Sequence, residues 1–306
     1  MLDRQGLHLR AALFASIRQF FSARGFLEVD TPIRQPVIIP ESNILPLAAE
    51  GQYLQTSPEL CMKRILASGC DNIFQICPCF RKEERGRNHL EEFTMLEWYR
   101  SGADYLRLMS DCEELLVEIA RAMALAFPGS EKIPERGVFP GINLIVPWER
   151  LTVEEAFSRY SPLSLGRCIV EECFDEMLVE FVEPNLGSPS PTFLHDYPVE
   201  MASLARCRES DPTKVERFEL YLNGIELANG FSELTDVEEQ RRRFIREVGN
   251  IAMSGRDSAG IPERFLDDLG NIEAAAGIAL GMDRLFMLLT GEKEISRVVS
   301  FAPGDF

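Results

Sequence analysis

The sequence predicts an α+β fold, with antiparallel strands and helices segregated around them. Three observations predict it. Strand-like runs at 73–81 and 93–99 enclose a short charged loop. Runs at 216–222 and 225–231 meet at Asn223-Gly224, a strong hairpin signal. The helical patterns lie between such pairs, where a parallel α/β fold would alternate them with single strands.

Each element has a local reason. Leu7, Leu9, Leu13, Phe14, Ile17, Phe20 and Phe21 recur at helical spacing over 5–24, and Gly25 can take the left-handed terminal position. Residues 26–30 read as a strand stopped by Thr31-Pro32. Residues 52–56 read as another. Ser57 then serves as N-cap, with Pro58 in the first turn, for a helix to about 67. Apolar positions 105, 109, 112, 116, 119 and 123 predict an amphipathic helix over 105–126. The Pro/Gly-rich stretch 127–147 predicts a loop or insertion. Thr152 and Glu155 make a capping-box pair, and the proline-rich run 189–198 ends in a short strand. A strand at 277–280 feeds a helix at 283–289.

Composition narrows the function. The chain has 306 residues, 45% of them hydrophobic, too apolar for a disordered chain. No apolar run approaches the roughly 18 residues a membrane helix needs. Charges scattered through the first thirty residues fit neither a signal nor a transit peptide, so a cytoplasmic protein is expected. A net charge of −17 argues against broad nucleic-acid binding. Eight cysteines without a CxxC pair predict reduced filler thiols, neither a zinc site nor a disulfide framework. Length alone suggests about two domains.

Three stretches carry chemistry. On the strand 93–99, Phe93, Met95, Glu97 and Tyr99 share a face. Arg81 ends the preceding strand, and the loop adds Lys82, Arg85, Arg87 and His89. Guanidinium pairs phosphate bidentately and an aromatic can stack on a base, which suits a nucleoside triphosphate. The same charges also read as a solvated hairpin tip. In the hairpin, Tyr221 should face Glu226, which makes Glu219 and Glu226 diagonal neighbours about 7–8 Å apart. That reach suits magnesium carried on phosphates; a solvent-facing acidic hairpin is the alternative. Asn229, Phe231 and Glu233 fall on the opposite parity, so a bulge near Ala228 or Gly230 is needed if they serve the same site. Finally, GIALGMDRL (277–285) puts glycines and Arg284 where a strand enters a helix, a phosphate-friendly corner or simply a tight one.

Together these stretches resemble the signature motifs of class II aminoacyl-tRNA synthetases. Residues 17–32 resemble motif 1 at the dimer interface, 80–99 motif 2 and 277–289 motif 3. The stretch GIELANGFSELTD (224–236) resembles the lysine-specific subgroup. The resemblance implies a class II catalytic core using ATP and Mg2+. Arg81 would hold the α-phosphate and the substrate carboxylate, and Arg284 the γ-phosphate, as the catalytic pair. Lys82, Glu83, His89, Phe93, Glu226, Leu227 and Gly281 would complete the ATP site, with Glu83 on the adenine amino group and Phe93 stacked on the ring. Glu219 and Glu226 would bind magnesium. Glu97, Tyr99 and Glu233 would clasp the distal ammonium of lysine, with Glu59 near its other amine. Asn229 would line the pocket, and Ser57, Pro58 and Ala279 would flank the carboxylate end.

The first motif begins too early to leave room for an anticodon-reading domain, so one catalytic domain over 1–306 is expected. That resembles the lone catalytic cores that ligate (R)-β-lysine to elongation factor P. Ser57 and Ala279 stand where lysyl-tRNA synthetases usually have Ala and Gly, favouring that family. Leu90-Glu91-Glu92 departs from the Asn-Pro-Glu usual to both. The implied partners are elongation factor P, (R)-β-lysine or lysine, and a second copy of the chain; neither a membrane nor tRNA is expected. The alternatives are a synthetase fragment acylating tRNA or a small molecule, and an inactive amino-acid-sensing relative.

Overall fold

A computed structural model describes residues 1–127 and 139–306. Most of the predicted loop at 127–147 therefore lies outside the described residues. Its far end is packed, with Phe139, Ile142 and Leu144 in the main core.

The scaffold is a mixed sheet dominated by antiparallel pairs. Its strands are β1 (Leu27–Glu28), β2 (Asn72–Phe80), β3 (Glu92–Ser101), β4 (Glu149–Thr152), β5 (Thr192–Pro198), β6 (Asp211–Leu222), β7 (Ile225–Ser232) and β8 (Ala275–Gly281). The spatial order is β1-β2-β3-β8-β7-β6-β5-β4, with Cys207–Arg208 added beside β6. Only the outer pairs, β1 with β2 and β4 with β5, are parallel. Residues 34–54 form a small separate three-stranded sheet.

One sheet face is covered by α1 (Arg4–Ala23) and α3 (Tyr105–Ala126). Leu9, Leu13, Ile17 and Phe21 meet Leu108, Cys112, Leu115 and Ile119 over Phe74, Leu96, Trp98 and Ile278. This apolar layer leaves the opposite face of the central strands for chemistry. A second cluster joins α4 (Val153–Tyr160) to β5 and β6. The capping box forms as expected: Thr152 accepts from the Glu155 amide, and Glu155 accepts from the Thr152 amide.

One local expectation needs correction. The N-cap of α2 (Glu59–Ala67) is Pro58, whose backbone is already helical. Ser57 only accepts from the Glu59 amide, at 3.4 Å. The hairpin bulge forms beside Ala228 as expected, with Leu227 as its extra residue: Tyr221 pairs with Glu226, and Leu220 already pairs with Ala228. Asn223 and Gly224 both have positive φ, the turn that matches strand twist.

Candidate active site

The bulge has a direct consequence. An extra residue restores parity, so Asn229 joins Glu219 on one face, directly opposite it. Register then carries a row across five strands: Gln75, Glu97, Ala279, Asn229 and Glu219 lie abreast. The adjacent row is Ile73, Tyr99, Gly277, Phe231 and Arg217. At normal strand spacing, Glu97 and Glu219 stand roughly 14 Å apart. Between them is room for an extended amino acid.

A cavity of about 550 Å3 opens on this face. Arg81, His89, Phe93, Glu226, Leu227, Asn229, Ala279, Gly281 and Arg284 line it, as the motifs implied. Arg81 follows β2 and lies over the Phe93 ring, 5.3 Å from its centroid. Arg284 enters from the first turn of α5 (Met282–Thr290). It donates to the Glu226 carbonyl at 2.7 Å, faces the Glu226 carboxylate at 3.3 Å and lies 2.5 Å from His89 Nε2. Burial, then Arg284, lowers the His89 pKa, keeping that ring neutral. Asp283 anchors the corner, accepting from the Thr94 amide and pairing with Arg10, both at 2.7 Å. Leu90 packs against the main core at the cavity wall.

Lys82 and Glu83 do not line the cavity. Their side chains pair with each other at 3.3 Å and are more than half exposed. Glu84 takes the lining position.

The distal residues Glu59, Glu97, Tyr99 and Glu233 are not among those lining the cavity. Tyr99 donates to Glu97 at 2.9 Å, and both are buried. Burial pushes both pKa values well up. Gly277 lets Tyr99 and Glu233 come close: a Cβ there would collide with the Tyr99 ring and with Glu233 Oε1. Glu233 and Glu59, however, already hold an ammonium. Lys63 Nζ lies 2.5 Å from a carboxylate oxygen of each and is 2% exposed. Burial opposes its charge, but the two carboxylates outweigh it and raise its pKa. Burial lifts Glu233 to about 8 against the pull of Lys63. Among the described residues, Glu97 is the carboxylate of this group that contacts no cation.

Glu219 is anchored by four donors: Tyr197 and Tyr221 hydroxyls at 2.5 and 2.6 Å, Arg217 at 2.7 Å and Asn229 at 3.3 Å. A carboxylate has about four acceptor positions, so Glu219 reaches a metal only by exchanging a donor. Glu226 is a third exposed and shares one oxygen with Arg284. No group of three or more metal-ligating side chains occurs among the described residues. This donor set fits magnesium that arrives with a nucleotide and draws its remaining ligands from phosphate and water.

Lys63, Arg217 and Glu41 escaped the sequence reading. Lys63 lies four residues after Glu59, and Arg217 two before Glu219, so helix and strand periods respectively could have found them. Glu41 sits in an irregular loop and lines the cavity. Its carboxyl makes no hydrogen bond or ion pair among the described residues, and burial, then Glu59, pushes its pKa up to about 7.

Comparison with known proteins agrees with this geometry. The family model for class II tRNA synthetases (D, K and N) matches residues 3–304. The chain is 40% identical over 311 residues to the elongation factor P–(R)-β-lysine ligase of Pectobacterium atrosepticum, covering 96% of this chain and 93% of that one. It is 38% identical over 309 residues to the enzyme of that name from Salmonella gallinarum, covering 95% and 93%.

Proposed function

Since the chain belongs to the class II tRNA synthetases of the D, K and N group, we propose that this ATP-dependent amino-acid ligase activates (R)-β-lysine as an adenylate and passes it to a lysine side chain of elongation factor P. The observation that carries this reading is the row from Glu97 to Glu219. It sets an acidic recess for a distal ammonium on the same sheet face as a cavity bearing Arg81 and Arg284.

In the first step the substrate carboxylate attacks the α-phosphorus in line and pyrophosphate leaves. Arg81 holds the α-phosphate and the carboxylate together, so the reaction gains chiefly from positioning. Arg284 stabilises charge on the outer phosphates. Phe93 and Arg81 give the adenine a stacking face. Magnesium would be held by Glu226, with Glu219 behind it, and would neutralise phosphate charge. In the second step an ε-amine of the acceptor attacks the adenylate carbonyl; AMP leaves and the amine loses its proton. Ala279 narrows the pocket beside Glu97, a methylene-scale device worth about 1–3 kcal/mol of discrimination between isomers.

We infer further that residues 1–306 act as one catalytic domain and pair with a second copy through the region around 17–32. Leu27 and Ile33 are exposed there, which suits an apolar contact. The net charge of −17 favours a protein acceptor over tRNA.

ATP–pyrophosphate exchange with (R)-β-lysine, α-lysine or no amino acid tests the first step. Lysine-dependent exchange is expected. Mass analysis of elongation factor P after incubation with enzyme, ATP and (R)-β-lysine should then show one added lysyl group. Absence of exchange with either isomer would overturn the reading, and charging of tRNA without a mass gain would move it to the synthetase-fragment alternative.

A further inference from the structure

Glu219 has no acceptor position free until one of its donors leaves. Its Oε1 accepts from Arg217 and Asn229, and its Oε2 accepts from the Tyr197 and Tyr221 hydroxyls. Both tyrosines are buried, so a displaced hydroxyl has no solvent to turn to. The donor that leaves must therefore have a second acceptor already in place.

Among the described residues, Tyr221 meets this condition. Its hydroxyl lies 2.6 Å from Glu219 Oε2 and 3.1 Å from Glu183 Oε1. One O–H proton thus faces two carboxyl groups. Arg217 reaches its other acceptors, the Met201 carbonyl and Asn229 Oδ1, through different nitrogens. The Tyr197 hydroxyl and the Asn229 amide group have no second acceptor among the described residues.

Glu183 is placed by the hairpin itself. The Asn223 and Gly224 amides donate to the Gly187 and Leu186 carbonyls, both at 2.8 Å. Gly187 has a positive φ, and a Cβ there would collide with the Tyr221 carbonyl and the Leu222 backbone. Residues 183–187 therefore lie directly against the end of β6. The charged neighbours of Glu183 are Glu226, Glu219 and Arg284, the groups assigned to the phosphates and their metal. Its carboxyl makes no ion pair among the described residues. Burial pushes it up to about 7, and in either form it keeps an oxygen that can accept.

Building on the ATP-binding part of the ligase reading, we propose that Glu183 is a positioning residue for the metal site, taking over the Tyr221 hydroxyl when Glu219 Oε2 turns to the magnesium of Mg2+–ATP. The exchange then leaves no buried hydroxyl unpaired, and Glu183 acts through Tyr221 without touching the metal.

The test uses the full chain, with Mn2+–ATP as the probe and water-proton relaxation as the readout, and no amino acid present. Glu183→Ala leaves the displaced hydroxyl without an acceptor, which should weaken Mn2+–ATP binding by about tenfold. Glu183→Gln keeps a carbonyl oxygen and should recover most of that loss. ATP binding in EDTA should stay within about twofold in both variants, because no metal then draws on Glu219. Tyr221→Phe has no hydroxyl to move, so adding Glu183→Ala to it should cost less than about twofold. If Glu183→Ala does not fold, Glu183→Met is read by the same criteria. Unchanged Mn2+–ATP affinity in Glu183→Ala overturns the proposal. So does an equal loss in the Tyr221→Phe background, which would make Glu183 a direct partner of the metal. An equal loss for ATP in EDTA overturns it too, marking a merely structural residue. Wild-type enzyme without lysine-dependent exchange sinks the ligase reading, while the manganese titrations still decide this proposal.

Discussion

The two ends of the site solve the same problem in opposite ways. At the distal end, Lys63, Glu59, Glu97, Tyr99 and Glu233 sit in a recess screened from water, where Lys63 and Glu233 are 2% and 1% exposed. At the nucleotide end, Arg284, Glu226 and His89 pair with one another across a partly open cavity. Low dielectric makes each charge in the first group indispensable to its neighbours. Solvent weakens the pairs of the second group and leaves them exchangeable for phosphate. The lesson is that the amino-acid end belongs to the core as much as to the site, whereas the nucleotide arm is held in reserve for a ligand.

The strongest way to break this contrast is Lys63→Met. It leaves Glu59 and Glu233 buried without their cation, a defect that typically costs about 3–5 kcal/mol. Urea unfolding should show that loss at pH 8. The sign with pH follows from the carboxylates. Burial already holds the Glu233 carboxyl at about 8, and without Lys63 it rises further, so the folded state binds more protons and the deficit grows as pH rises. Toward pH 5 it should shrink. A variant as stable as the wild type at pH 8 would show that the recess is open to water.

The next effect lies at the other end. Arg284→Met removes a pair with a half-buried partner, which contributes only about 0–1 kcal/mol to stability. Its cost should fall on the chemistry instead, about 10²–10³ in kcat for a lost transition-state donor. Pyrophosphate exchange and urea unfolding on the same preparation separate the two. An Arg284 variant that unfolds as readily as Lys63→Met would erase the distinction between the ends.

How much of this was legible in the sequence follows the same division. Period-two strands, the Asn223-Gly224 turn and the capping box of α4 were readable because local geometry decides them. Register then delivered the row of site residues, once the bulge at Leu227 reset the parity. The helix Val237–Met253 escaped because polar residues share its buried face with Phe244 and Ile251. Gln240 and Arg243 point inward, and Arg243 donates to the Ser203 and Ala205 carbonyls at 3.0 and 2.8 Å. An apolar-period search passes over such a helix. Glu59 was singled out for the substrate alone; Lys63, four residues on, is shown to be an internal cation only by its burial. Glu41 had no periodic signal at all, since loop residues are placed by tertiary contacts.

The smallest effect sharpens the comparison, because Glu41 lies between the two ends. Its carboxyl, with a pKa pushed up to about 7, changes charge in the range where the enzyme would work. The ionised form favours a cationic amino acid in the cavity that Glu41 lines. Between pH 6 and pH 8 that form rises from roughly a tenth to roughly nine tenths of the total. Amino-acid kcat/KM in exchange should therefore rise about tenfold over that interval, equivalent to about 1.4 kcal/mol. Stability runs the other way. A carboxyl whose folded pKa lies above its unfolded one favours the folded state while protonated, and that contribution is lost as pH climbs from about 4.5 through 7. Other groups titrate nearby: Glu183 at about 7, mainly through burial, and Glu233 at about 8. The informative quantity is accordingly the difference between wild type and Glu41→Gln. If Glu41 couples the ends, Gln flattens the rise in kcat/KM and removes part of the fall in stability. A rise that survives the substitution would instead place the titration in Glu183 or Glu233.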